Sequence, residues 1–211
     1  MTVLSEIKDA TIAGNMEKTV GLIDQAVSEG IAPGDIIQNG LIEAMAVVGE
    51  KFKINEIYVP EMLIAARAMK AGLGKLKPLM VGQEVKVLAT VVLGTVKGDL
   101  HDIGKNLVAI MMEGAGCKVI DLGVDISPDK FAAAVDLHKP QFIGLSALLT
   151  TTMPAMKDTI DALEKAGNRN NVNVLVGGAP LTQKFADDIG ADGYARDGGE
   201  VITLVKSLLV E

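Results

Sequence analysis

Val85-Lys-Val-Leu-Ala-Thr-Val-Val-Leu-Gly94 runs directly into Thr95-Val-Lys-Gly-Asp-Leu-His-Asp-Ile-Gly-Lys-Asn106. The first stretch predicts a strand over Val85–Val92, β-branched and without alternation, as in a strand buried on both faces of a parallel sheet. Helical periodicity resumes at Ile103 and reaches Gly114. The connection between them is longer than the usual two to six or so residues. Working outward, strand and helix keep alternating: Lys118–Leu122 with Pro128–Leu137, Phe142–Leu145 with Pro154–Ala166, Asn173–Val176 with Leu181–Ile189, and Gly193–Ala195 with Glu200–Val210. Five such units predict an α/β fold, a doubly wound five-stranded parallel sheet over residues 82–211.

Upstream, residues 1–80 show helical periodicity and no strand. Thr11–Glu29, Pro33–Phe52 and Pro60–Leu73 are the clearest segments. Leu41, Met45, Val48 and Phe52 form one apolar stripe, and Met62, Ala66, Met69 and Leu73 another. Pro33 and Pro60 suit first-turn positions, where a missing N–H costs nothing. This half is expected to be a four-helix-bundle-like cap, joined to the sheet by a linker over Gly72–Pro78 and Gly82 that would also serve as a hinge.

The composition narrows the functional classes. The 211 residues are 49% hydrophobic, carry a net charge of -7 and contain 3% aromatics without tryptophan. A basic nucleic-acid surface and base-stacking platforms are not expected. No apolar stretch is long enough to cross a bilayer and no export signal opens the chain, so a cytoplasmic protein without a membrane partner is expected. The lone Cys117 fits a reducing compartment and reads as a small buried hydrophobe.

Ligands of doubly wound sheets bind beyond the carboxyl ends of the strands, which puts the loop after the first strand at the centre. It holds one of only two histidines, His101, between Asp99 and Asp102, bracketed by Gly98 and Gly104. A phosphate-binding loop needs four residues between its glycines and a Ser or Thr after its lysine; here there are five, and Asn106. A zinc site wants about three protein ligands, and His138 belongs to a different connection, where a solvated surface residue is the simpler reading. Asp99 and Asp102 as helix caps beside an exposed His101 is the plainest alternative. A sharper one is an imidazole that ligates a metal through Nε2 while Nδ1–H donates to Asp99. One protein ligand suffices when the metal arrives in a macrocycle.

Gly98-Asp-Leu-His-Asp-Ile-Gly104 resembles the D-x-H-x-x-G signature of cobalamin-binding domains, Ser146-Ala-Leu148 their S-x-L, and Gly177-Gly178 their G-G. Val47-Val-Gly-Glu-Lys-Phe52 and Ile57-Tyr-Val-Pro-Glu-Met62 are similar to segments of the family's helical cap. The resemblance covers nearly the whole chain. It implies a flavodoxin/Rossmann-like cobalamin-binding domain under a cap, as in free-standing corrinoid proteins of methyltransferase systems and the cobalamin module of methionine synthase.

The resemblance also implies roles. His101 would be the axial cobalt ligand, displacing the cofactor's own base. Asp99 would hydrogen-bond His101, with Thr152 as the third member of a proton relay that has serine in methionine synthase. Gly98, Leu100, Asp102, Ile103 and Gly104 would surround the ligand. Ser146, Leu148, Thr150, Gly177, Gly178, Tyr194 and Ala195 would line the slot for the displaced tail. Phe52, Val59 and Met62 would shield the upper face.

The cofactor would be cobalamin, carried as methylcobalamin. The chain would be a non-catalytic carrier, shuttling a methyl group between a substrate-specific methyltransferase and an acceptor methyltransferase, with a corrinoid-reactivating reductase as a third partner. The methyl source would be a methylamine, methanol or a methoxylated aromatic. Rival readings are a corrinoid-sensing regulator, an adenosylcobalamin mutase subunit and a nucleotide-binding signalling domain. Neither the plain spacing of Gly177-Gly178, which suits a turn, nor Ser146 and Thr150, which suit helix caps before Pro154, requires a ligand.

Overall fold

The computed structural model describes residues 2–80 and 87–210. These form two units: one of residues 2–80 and 87 with 114–116, the other of 88–113 with 117–210.

The first unit is helical. Helices α1 (Val3–Ile12) and α2 (Met16–Ser28) stand where the sequence suggested one helix from Thr11. Gly14, at φ +68°, ends α1, and Asn15 caps α2 by accepting the Lys18 N–H at 3.0 Å. Next come α3 (Pro33–Ile36), a π-helical segment (Ile37–Ile42) and α4 (Glu43–Lys53), consecutive with one another. Leu41, Met45 and Val48 of the expected stripe are buried, and Phe52 is half-buried.

Helix α5 (Val59–Leu76) starts at a turn where the Glu61 carboxylate accepts the Tyr58 N–H at 3.1 Å. It packs on α2, α1 and α4. Its buried stripe is Met62, Ala65, Ala68, Met69, Gly72 and Leu76, one residue off the expected Ala66 and Leu73.

The described part of the expected linker, Gly72–Pro78, is helical. Residues through Leu76 belong to α5, and Lys77–Met80 form a 3₁₀ turn. A Cβ on Gly72 would lie 2.8 Å from Ile23 Cδ1, so this glycine serves close helix packing rather than flexibility. Gly82 and the start of the expected strand, Val85 and Lys86, lie outside the described residues.

The second unit is a five-stranded parallel sheet ordered β2-β1-β3-β4-β5: β1 (Thr90–Thr95), β2 (Lys118–Asp121), β3 (Phe142–Ser146), β4 (Asn173–Gly177) and β5 (Gly193–Ala195). The helices are α6 (Ile103–Gly114), α7 (Pro128–His138), α8 (Pro154–Lys165), α9 (Gln183–Ile189) and α10 (Gly198–Leu208). α10 begins two residues before the expected Glu200 because Asp197 caps it, accepting the N–H groups of Gly199 and Glu200.

Alternate strand residues feed two cores. Val92, Ile143, Val174 and Val176 join Phe131, Met156 and Leu163 on the α7–α8–α9 side. Val91, Phe142 and Leu175 join Met112, Val201 and Val205 on the α6–α10 side. Burial on both faces is why these strands read as unbroken apolar runs. The strand order reverses direction between β1 and β3, and it is beyond the carboxyl ends of the strands at such a switch point that ligands of doubly wound sheets bind.

Candidate functional site

β1 ends three residues later than the expected Val92, at Thr95, so the loop itself is Val96–Asp102. Several backbone bonds shape it. Val96 N–H donates to Ser146 O at 3.0 Å and Asp99 N–H to Val96 O at 3.1 Å. Gly98 lies at φ +83°, a conformation that favours glycine, and its N–H donates to Asp125 Oδ1 at 2.7 Å. Asp125, itself at φ +53°, donates its own N–H to Asp99 O at 3.0 Å. The connection after β2 thus braces the loop after β1.

The Asp99 carboxylate is completely buried. Its Oδ1 accepts the His101 N–H at 3.0 Å and lies 2.7 Å from His101 Nδ1. Its Oδ2 accepts from Thr152 Oγ1 at 2.7 Å, Leu148 N–H at 2.8 Å and Leu149 N–H at 3.2 Å. Burial by itself would raise its pKa, but the bonds from Thr152, the His101 and Leu148 backbone and the imidazole outweigh it and hold the carboxyl well below the usual range. Asp99 is therefore a permanent anion at neutral pH. The helix-cap reading fails for Asp99. At Asp102 the carbonyl takes the Asn106 N–H at 2.8 Å and the carboxylate takes the Asn106 amide at 3.0 Å.

The His101 side chain is 51% exposed, although its partner has no exposure at all. With Nδ1 on the carboxylate, Nε2 has no protein partner among the described residues. The loop that carries His101 and the loop after β3 also hold apolar side chains open to solvent: Leu100 at 70%, Ile103 at 78%, and the half-exposed Leu148 and Leu149. Gly104 adds no side chain there, and nothing lies within 4 Å of where its Cβ would be. No cluster of three or more His, Cys, Asp or Glu fit for a metal occurs among the described residues. A bare metal ion therefore finds no cage. A metal that arrives already held in a macrocycle would fit this single imidazole donor.

The other expected residues are placed as follows. Ser146, half-buried, ends β3 opposite Thr95, and Thr150 is exposed. Neither caps α8, which begins after Met153 without a side-chain cap. Gly177 ends β4 in register with Ala195. Gly178 is at φ +136°, and a Cβ there would sit 1.9 Å from the Ala147 carbonyl oxygen. The protein's own backbone thus demands this glycine. Tyr194 packs with the α7–α9 core and Ala195 with the other. In the helical unit Phe52 and Val59 are half-buried and Met62 is fully buried. His138, the last residue of α7, is exposed.

Sequence reasoning missed Thr95, Lys105 and Asp125. Thr95 Oγ1 donates to the His101 carbonyl at 2.9 Å. Lys105, almost fully buried, pairs with Asp121 Oδ2 at 2.5 Å and donates to Asn106 Oδ1 at 2.7 Å. A Lys beneath an otherwise apolar helix face was the signal available for the second.

Known proteins bear on this geometry. A B12 binding domain model matches residues 89–203, and a second B12 binding domain model matches residues 3–77. The chain belongs to the B12-binding corrinoid protein family. Within that family it is 41% identical to a corrinoid protein of Desulfitobacterium hafniense strain Y51 over 99% of this chain and 98% of that one. It is 40% identical to dimethylamine corrinoid protein 2 of Methanosarcina acetivorans, over 98% of this chain and 96% of the other. Among solved structures, the methanol:cobalamin methyltransferase complex of Methanosarcina barkeri matches with a TM-score of 0.91 at 30% identity, covering 99% of this chain and 80% of that one. A cobalamin-binding protein of Desulfitobacterium hafniense DCB-2 matches at 0.80 and 29% identity, over 98% of both chains. The cofactor of this corrinoid protein is cobalamin or a related corrinoid. No helix among the described residues is long and apolar enough to cross a membrane.

Proposed function

We propose that this corrinoid protein is a methyl carrier in which His101 is the axial ligand of the corrinoid cobalt. One observation carries the reading: a half-exposed imidazole whose Nδ1 is held by a fully buried carboxylate at 2.7 Å, leaving Nε2 without a protein partner among the described residues. When bound, the corrinoid supplies a cobalt centre able to accept and release a methyl group.

The protein's own residues hold and orient. Asp99, kept anionic by its donors, keeps the imidazole proton on Nδ1 and so presents the Nε2 lone pair. Thr152 holds Asp99 Oδ2, in the place of the relay's third member. Gly98 and Asp102 shape the loop, while Leu100, Ile103 and Gly104 form its apolar, low-relief surface. In this reading the carboxyl ends of β3, β4 and β5, with Ser146, Leu148, Thr150, Gly177, Gly178, Tyr194 and Ala195, would line the slot for a displaced nucleotide tail. Residues 1–80 are the cap in this reading; Phe52 and Val59 keep partial exposure there, whereas Met62 is fully buried inside that unit and has no surface to offer a ligand.

The partners in this reading are a substrate-specific methyltransferase, an acceptor methyltransferase and a reactivating reductase, all cytoplasmic. Support comes from relatives named for dimethylamine and trimethylamine and from a structural match titled as a methanol methyltransferase complex. Those full-length matches favour a carrier over a sensor, a mutase subunit or a nucleotide-binding signalling domain.

The test is a transfer assay. The reconstituted protein is mixed with methyltransferases for mono-, di- and trimethylamine, methanol and methoxylated aromatics, and methylation of its cofactor is followed by absorbance. One partner is expected to methylate the wild-type protein, and His101→Ala to lose the histidine-ligated spectrum. A colourless protein that takes up no cobalamin would refute the reading.

A further inference from the structure

Asp99 fixes the imidazole from its Nδ1 side, but that bond does not fix how far the loop stands from the sheet. The main chain of His101 is held elsewhere. Its carbonyl accepts the hydroxyl of Thr95 at 2.9 Å. Thr95 is the last residue of β1 and is completely buried. Its N–H donates to Gly123 O at 3.0 Å, its carbonyl accepts the Ile126 N–H at 3.0 Å, and it stands in register with Ser146 of β3. The sheet end therefore grips this residue from two sides. A β-branched side chain has few χ1 choices, so the hydroxyl is aimed as well as anchored.

We infer that Thr95 is a positioning residue for His101, setting the stance of the loop from which Nε2 reaches a metal. The inference rests on the corrinoid reading above. Both backbone polar groups of His101 and its Nδ1 are then tied to the protein, the N–H and Nδ1 to Asp99 and the carbonyl to Thr95. An outward swing of the loop would strand a buried hydroxyl, which carries the full cost of an unmade hydrogen bond. Groups that orient a metal ligand without touching the metal commonly change its binding by about tenfold or more.

The experiment uses the full chain reconstituted with hydroxocobalamin and reduced to cobalt(II), with and without ¹⁵N-labelled histidine. Electron paramagnetic resonance then reads the fraction of cobalt with histidine nitrogen coupling. Thr95→Val keeps the shape and removes the donor, and is expected to shift the ratio of coupled to uncoupled cobalt about tenfold toward uncoupled. Thr95→Ala, which relieves any misfit of the valine, is expected to shift it the same way, and Thr95→Ser to restore it. A wild-type ratio in Thr95→Val or Thr95→Ala overturns the inference. Wild-type protein without histidine coupling overturns the corrinoid reading itself, and this inference with it.

Discussion

Thr152 Oγ1 donates to Asp99 Oδ2 at 2.7 Å across a sequence separation of 53 residues, joining the loop after β3 to the loop after β1. Both residues are buried, so the bond is a charge-assisted one shielded from water. Thr152→Val is expected to lower stability by about 1–3 kcal/mol, because one buried anion loses a donor. Thr152→Ser keeps the donor and is expected to stay within about 1 kcal/mol of wild type. Urea denaturation of the apoprotein measures both.

Glycines at the site separate into those the fold needs and those a ligand would need. Gly178→Ala places a Cβ against the Ala147 carbonyl at a positive φ and is expected to cost about 3 kcal/mol or more. Gly104 has open space around it near the start of α6. Gly104→Ala is expected to leave the apoprotein as stable or more stable by about 0.5–1 kcal/mol. The same change is expected to weaken cobalamin binding about tenfold, a loss near 1.4 kcal/mol. Thermal denaturation and cobalamin titration, run on both variants, check the contrast.

Lys105 and Asp121 form an ion pair with unequal burial: the lysine side chain is 1% exposed and the aspartate 39%. Removing each partner is therefore not equivalent. Asp121→Ala leaves a buried ammonium with only Asn106, whereas Lys105→Met leaves a carboxylate that water reaches. The first is expected to cost about 2–4 kcal/mol and the second clearly less. Paired denaturation curves at low and moderate salt read the difference.

Burial pushes the Cys117 thiol up to about 11, despite the Ala89 backbone bond and the nearby Lys206 charge. A thiol raised in the fold stabilises fully below its unfolded value of about 8.5, and that contribution fades as pH rises through the folded value. Native protein at pH 8 is expected to resist alkylation by iodoacetamide, and denatured protein to react at once. Labelling followed by mass spectrometry decides it.

The sheet was legible because its central strands β1, β3 and β4 are apolar on both faces and three of its helices begin at a recognisable signal: Pro128, Pro154, and a turn before Ile103. The helical half was less so. Gly14 and Gly72 look alike in sequence, yet one ends a helix and the other admits the side chain of Ile23. Only the packing distinguishes them. At the site, Asp99 and His101 announced themselves by lying two residues apart. Asp125 did not, because the parallel pairing of β1 with β2, rather than spacing, brings it to Gly98 and Asp99; Thr95 did not, because its hydroxyl reaches a backbone carbonyl, which no side-chain motif marks. Thr152 was reached through resemblance alone.

Methyl carriage as proposed requires His101 Nε2 to bind the corrinoid cobalt. Cobalt(II) electron paramagnetic resonance of the wild-type holoprotein, with ¹⁵N confined to histidine, tests it most directly. The account predicts nitrogen splitting that changes from the ¹⁴N to the ¹⁵N pattern on labelling and vanishes in His101→Ala. Splitting that ignores the label and survives that substitution, as it would if the cofactor's own benzimidazole stayed on the metal, would contradict it.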